Sequence, residues 1–451
     1  MPSTTPPAEI ATAGDSPLGD PASEAPTAIE LAQPRNLLVL AGQQIMLRVA
    51  WIFKTESVIM PAFLDTIAGA GWIRGCLPVL NRIGQSVPPM LLSDRLRAAP
   101  VKSRALLLTS LLMSGPFLLL AGVWFSLDDK RQPWLPWLFL LLYFIFFCFT
   151  GLNQLSFGTV QGKLVAVKRR GRLLALSGVI GSFAAIGAVW FLLPRLLERD
   201  FANGFGWIFL ITGVGFSIAG AVCLLLREPP DDAAGLHPRP QRPLHGVWLV
   251  VRRDRSFRRL AVVAMLFITA QFLFPHYQKL GYVQLEAGGF DLMVWVVAQN
   301  AGAGVFSLLA GAIADRFGNR LAIRMLVFVS ALTPLLALAV SHAPQAVGRS
   351  TFWLTFFLLG LIPVTLKALV NYALEIAPHD DHPRYVSTLS LCLAVPFVFS
   401  PLAGLAVDLA GFTPVLLTVA TLVAAGGLLT FRMSEPRHGS DAGEPTGVSR
   451  G

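Results

Sequence analysis

The stretch GQQIMLRVAWIFKTESVIMPAFL (42–64) places Arg48, Lys54 and Glu56 inside a run that is otherwise largely apolar. Ionisable side chains in such a run are costly in hydrocarbon, so each needs a partner or a wet cavity; together they are equipped to exchange a proton or hold a charged solute. On a continuous helix, at about 100° per residue, Arg48 and Glu56 stand roughly 80° apart and Lys54 and Glu56 about 200° apart. That spacing predicts Arg48 and Glu56 facing one cavity, with Lys54 meeting a neighbouring helix or snorkelling outward. A segment lying partly at the interface would instead bring all three to headgroups or water. The next run, LPVLNRIGQSVPPMLL (77–92), sets Arg82 between Asn81 and Gln85, which are four residues apart and share a face. Arg82 needs an acid at its own depth, and Glu56 is the one available, so a Glu56–Arg82 or a Glu56–Arg48 pair is expected. Such a pair either couples proton exchange to solute binding or braces the first two helices.

The elements that position these residues are long and apolar. Of 451 residues, 54% are hydrophobic and 14% charged, against roughly a quarter charged in soluble chains. Runs of about 20 apolar residues recur, enough to cross a bilayer as helix, and they are continuous rather than alternating. The class expected is an all-α polytopic membrane protein with twelve transmembrane helices. The spans fall near 37–63, 70–92, 104–126, 133–158, 173–194, 204–226, 260–283, 292–314, 321–341, 350–374, 386–407 and 412–432. Two six-helix halves, 37–226 and 260–432, are joined by 227–259, whose first part is Pro-rich and whose second part suits a basic helix on the membrane surface. Residues 1–36 and 433–451 are expected to be disordered cytoplasmic tails, and 1–36 lacks the pattern of a signal peptide. Cys76, Cys148, Cys223 and Cys392 lie singly in or beside apolar runs, as small buried hydrophobes rather than metal or redox pairs.

The formal charge of +10 follows topology. With the N-terminus inside, cytoplasmic segments hold 25 of the 36 Lys and Arg, outer segments 7, and the spans the remaining 4. The bias places both termini in the cytoplasm and accounts for the basic character without nucleic acid.

The two halves repeat. GAIADRFGNRLAIR (311–324) joins the eighth and ninth spans, and a worn copy, LLSDRLRAAPVKSR (91–104), joins the second and third, with Asp94 and Asp315 in matching places. Repeated halves with a site between them are a transporter architecture. At these residues the chain resembles the major facilitator superfamily, whose loop signature is approximately G-x-x-x-D-R-x-G-R-[KR]. Gly311, Asp315, Arg316, Gly318 and Arg320 match it; Asn319 stands where a basic residue is usual. The earlier copy keeps Asp94 and Arg95, and later bases such as Arg104, but has Met90 and Arg97 in place of glycines. The resemblance implies that these loops gate the transporter, the Asp pairing with bases across the two halves, and that the glycine a turn earlier lets helices approach closely. Arg324, Glu375 and Arg384 look like further members of the cytoplasmic charge network. It also implies a cavity built mainly from spans 1, 4, 7 and 10. That nominates Asn153 and Gln154, Gln271, His276 and Tyr277, and Lys367 and Asn371, with Gln299 or Asn300 from span 8. Lys367 either binds an anionic solute or satisfies carbonyls near the cytoplasmic end. His276, beside Pro275, suits a packed or wet-edge position better than a proton relay.

HDDH (379–382) is a solvated turn before Pro383 rather than a metal site, and no P-loop, HExxH or nucleophile elbow occurs. No cofactor or metal is expected. The expectation is a monomeric secondary active transporter of the inner membrane, moving a small solute by alternating access with proton coupling, and not an enzyme. The alternative is a polytopic membrane enzyme or a non-transporting sensor that retains the fold.

Overall fold

A computed structural model describes residues 28–97, 100–199, 201–230, 250–378 and 381–434. Among them the secondary structure is helical throughout. The first half comprises α1 (Ala28–Ile52), α2 (Ile59–Ile67), α3 (Gly71–Arg97), α4 (Lys102–Ser126), α5 (Leu135–Leu164), α6 (Val167–Arg199) and α7 (Phe201–Val222). The second comprises α8 (Arg255–Ile268), α9 (Phe274–Leu285), α10 (Gly289–Phe317), α11 (Asn319–Ser341), α12 (Gln345–Thr351), α13 (Trp353–Leu359), α14 (Leu361–Ile376), α15 (His382–Ala394), α16 (Ser400–Ala410) and α17 (Phe412–Leu429). Ten of the resulting rods are long and apolar enough to cross a membrane, the first of them α4. α1, α2 and α3 are not among them, yet they run through the same bundle: α1 packs on α6 and α7, and α3 on α5. The protein is an integral membrane protein of all-helical fold.

Large side chains sit where lipid would meet them: Leu308, Leu409 and Phe183 are 78%, 79% and 75% exposed. Inside the first half, Phe63 meets Trp124, Phe139, Phe205 and Phe209 with ring centroids 4.7–5.4 Å apart. In the second, Trp295 stacks on Phe356 at 4.7 Å.

Four rods are interrupted at mid-height with a proline just beyond each of these breaks; the further break at Phe352, between α12 and α13, has none. A proline ring clashes with the carbonyl four residues back and has no N–H to donate. Pro61 stands in the first turn of α2, so the helix cannot run through Ser57, and residues 53–58 are unwound. Pro275 follows the 3₁₀ turn Thr269–Leu273, Pro363 follows the break at Gly360, and Pro401 follows the 3₁₀ turn Val395–Phe399. Proline alone is not sufficient, since Pro116, Pro194 and Pro334 lie inside continuous helices.

One expected boundary shifts. The helix begins at Ala28, not at 37, because Asn36 is buried and anchors it: its side chain donates to the Arg227 carbonyl at 2.9 Å and accepts from the Arg227 amide at 3.0 Å. The linker's expected surface helix falls mostly on 231–249, outside the described residues, as do 1–27 and 435–451 of the expected tails 1–36 and 433–451. The start of α1, the end of α7, the α10–α11 turn and the end of α17 lie on one face of the bundle, called here the terminus face.

Candidate functional site

The unwound segment between α1 and α2 changes the geometry of the first span. Helical spacing no longer applies, and Lys54 and Glu56 turn toward each other: Nζ donates to Oε1 at 2.7 Å. Lys54 is fully buried, over the Trp51 ring at 3.2 Å from its centroid and beside Phe147 and Phe146 at 4.4 and 4.9 Å. Such rings stabilise a desolvated ammonium through their negative faces. The second Glu56 oxygen accepts from the Asn81 amide, and Gln85 in turn donates to Asn81. Neither expected partner is present: Arg82 reaches across to α15 and donates to the Ser390 carbonyl at 3.0 Å, and Arg48 donates to the Gly178 carbonyl at 3.2 Å. One residue beyond Glu56, the Ser57 hydroxyl donates to Gln299 of α10, a hydrogen bond between the halves at the break.

Toward the terminus face the halves part around a cavity of about 280 Å³. Arg48 of α1, Ser182 and Phe183 of α6, Asn300 and Ser307 of α10 and Lys367 of α14 line it. Asn300 donates to its own helix at 2.9 Å, leaving its oxygen free to accept. The other nominated residues lie elsewhere. Asn153 faces away from the cavity and ties α5 to α4, donating to Thr109 and Ser110 hydroxyls at 3.1 and 2.7 Å. Gln154 and Asn371 are exposed but line neither this cavity nor a second one of about 480 Å³ toward the opposite face, lined by Asp65, Lys130 and Phe205 of the first half and Lys279 and Tyr282 of the second. Gln271 sits half-buried in the 3₁₀ turn; His276 and Tyr277 are packed, and both ring nitrogens of His276 lack partners among the described residues.

The signature loop is a one-residue turn. Gly318 takes φ +88°, a conformation open to glycine, and ends α10 as α11 starts. Asn319, the departure from the signature, donates to Glu375 at the end of α14 at 2.7 Å, joining the loop to that helix without a second charge. Arg320 donates to the Met433 carbonyl at 3.2 Å, and Arg324 to Thr430 at 3.2 Å while lying 3.9 Å over the Phe431 ring. These contacts stay within the second half. Asp315 and Arg316 are exposed, and Arg384 pairs with Asp381 of its own loop at 2.8 Å. Gly311 is not a close-packing position: a Cβ there would meet open space. The side chains of Asp94 and Arg95 lie outside the described residues, and Arg104 is exposed. Where the linker leaves α7, Glu228 accepts from the Lys102 and Ser103 amides at 2.9 and 2.6 Å and from Lys163 at 2.8 Å. Burial alone would raise its carboxyl; these bonds outweigh burial and hold it below the usual range.

Toward the opposite face the halves are tied together, beside a second cavity, by residues that the sequence marked only as edge charges or not at all. Asp65 accepts from Arg74 and lies 3.7 Å from Lys279 of the other half. Asp408 at the end of α16 accepts from the Gly71 amide at 2.9 and 2.7 Å and sits 3.9 Å from Arg74. The backbones touch here: a Cβ on Gly71 would come within 2.6 Å of the Gly404 carbonyl. The signal available in the sequence was the pairing of acids with glycines at the ends of spans 1, 2 and 11. Between the halves, then, the described hydrogen bonds and ion pairs run from this face down to the Ser57 and Arg82 level, and the cavity opens below them.

Residues 285–449 match the sequence family described as Major Facilitator Superfamily. No curated protein matches the chain. Among solved structures, a mutant form of the nucleoside transporter NupG is similar, with TM-score 0.69 at 12% identity, covering 89% of this chain and 99% of that one. A POT family transporter in complex with 5-aminolevulinic acid gives 0.65 at 14%, covering 89% and 96%. A bacterial homologue of the human lysosomal transporter Spinster, inward-facing and unoccupied, gives 0.65 at 11%, covering 92% and 99%. At such identities the likeness speaks for the fold alone. The sequence of residues 285–449 matches that family, and the described bundle shares the fold of these solved transporters.

Proposed function

We propose that the chain is a secondary active transporter that carries a small solute by alternating access, its two halves rocking about the site between them. The observation that carries the reading is the asymmetry of the interface. Toward one face the halves are tied together by the Asp65–Lys279 and Asp408–Gly71 contacts, beside a second cavity, while the cavity toward the terminus face is lined by both halves and crossed by no such described contact. The 25-to-7 distribution of Lys and Arg supports a cytoplasmic terminus face, hence an inward-facing state. Glu56 is the proposed proton site. A proton on its carboxylate removes the charge that holds Lys54, and the disturbance lies next to the Ser57–Gln299 bond between the halves. Proton binding and rocking are thereby linked through one unwound segment. Flux into proteoliposomes, measured with a solute panel under an imposed pH gradient, tests both parts. Transport of a solute that follows the gradient, and that loses its pH dependence in Glu56→Gln, is expected. Folded, inserted protein that moves no solute under any gradient would overturn the transporter reading; a wild-type pH profile in Glu56→Gln would remove Glu56 as the proton site.

A further inference from the structure

We propose that the solute held in the terminus-face cavity is a small organic anion, gripped by Arg48 from one half and Lys367 from the other. The proposal rests on the transporter reading of the same cavity and specifies its substrate class. The lining residues include two cations and no acid. Lys367 has no hydrogen-bond or ion-pair partner among the described residues, so it does not satisfy helix carbonyls, the other role open to it; it is exposed to the cavity. Arg48 spends one N–H on Gly178, and a guanidinium has five. The remaining polar groups offer few donors. Ser182 and Ser307 each donate to their own helix at 2.7 Å, and the Asn300 amide donates to Val296. What is left to recognise a ligand is positive charge and acceptor oxygens.

Two like charges facing one cavity walled by protein repel each other, and an anion between them removes that cost as well as gaining two charge-assisted hydrogen-bonded contacts. A carboxylate or phosphate suits the planar fork of Arg48. Phe183 and Ile186 of α6 and Val364 of α14 supply an apolar wall, which favours a ligand with a carbon skeleton over a bare ion. The volume, about 280 Å³, sits at the lower edge of the usual range for small-molecule sites, about 300–1,000 Å³. The cations come from opposite halves, α1 and α14, so the ligand bridges the two parts that rock. A neutral or cationic solute would leave the repulsion in place.

The test uses the purified full chain in neutral detergent, with thermal protection and Trp fluorescence titration as readouts. Probes are succinate, glycerol 3-phosphate and inorganic phosphate, against uncharged succinamide, cationic 1,4-diaminobutane and chloride at equal ionic strength. Saturable binding of at least one organic anion is expected, with the uncharged and cationic probes inert. Arg48→Gln and Lys367→Gln should each weaken it by about tenfold or more, while Arg195→Gln, on the outer part of α6, leaves it unchanged. Repeating the titration in nanodiscs of phosphatidylcholine with or without phosphatidylglycerol separates sources. Loss of succinate binding with phosphatidylglycerol alone, restored by its removal, makes a lipid headgroup the natural anion. Folded protein that binds none of the three anions, or binds succinamide or the diamine as well as succinate, overturns the proposal. Anion binding without flux would sink the transporter reading but not this one. Flux of a neutral or cationic solute, with no anion bound, would do the reverse.

Discussion

Glu56→Ala strips the counter-ion from an ammonium that is fully buried, leaving Lys54 with aromatic rings and no acid. Breaking a buried pair from that side costs about 3–5 kcal/mol, because the remaining charge is neither hydrated nor compensated. Lys54→Met removes the charge itself. Glu56, 24% exposed and still bonded by Asn81, can take water in its place, so the loss is that of a charged hydrogen bond, about 1.5–3 kcal/mol, partly offset by relief of Lys54 desolvation. The double variant leaves no stranded charge and should cost less than Glu56→Ala alone, giving a coupling of about 2–3 kcal/mol. Reversible unfolding in mixed micelles, followed by Trp fluorescence, measures all four corners of the cycle; Trp51, 3.2 Å from the ammonium, is a local reporter. Glu56→Ala no more costly than Lys54→Met, or a coupling below about 0.5 kcal/mol, would refute the buried-pair reasoning.

Three further perturbations address the two faces. Gly71→Ala forces a methyl against the Gly404 carbonyl and the Asp408 carboxylate, and should loosen the tied face, raising several-fold the rate at which half-buried Cys76 is alkylated by a maleimide; an unchanged rate would mean this contact does not hold the halves together. Glu228→Gln should cost about 1–3 kcal/mol near neutral pH. Because the folded carboxyl is held below its usual range, that contribution is present above the unfolded value near 4.3 and lost as pH falls through the lower folded value, so wild type and variant should converge there in unfolding experiments; a gap that persists in acid would assign the effect to something other than the charge. Asp315→Asn, at an exposed position on the open face, should slow transport at least several-fold with normal membrane insertion and unaltered anion binding; full flux would reduce the 311–324 loop to a topological marker.

The membrane class, the two-half repeat and the signature loop were legible in the sequence because each depends on local pattern: apolar length sets a span, and a glycine at Gly318 sets the turn. The candidate residues were legible by cost, since any ionisable group in an apolar run needs a reason to be there. Their partners were not. Helical spacing does not hold across Arg48, Lys54 and Glu56, because the helix breaks ahead of Pro61 and the unwound segment turns Lys54 onto Glu56. Asn153 looked like a cavity group by its place in the fourth span, yet its rotation toward Thr109 and Ser110 is fixed by how α5 packs on α4.

By itself, then, the chain's order of residues determined which segments leave water and which side chains resist leaving it, because transfer free energy is a property of each group and its near neighbours. Only the tertiary structure decided that Arg48 and Lys367, from helices hundreds of residues apart, share one cavity, and that Asp65, Arg74, Lys279 and Asp408 tie the halves together toward the opposite face. Those pairings depend on helix rotation and on the relative position of the two halves. Both are set by the summed packing of many side chains, which no local pattern carries.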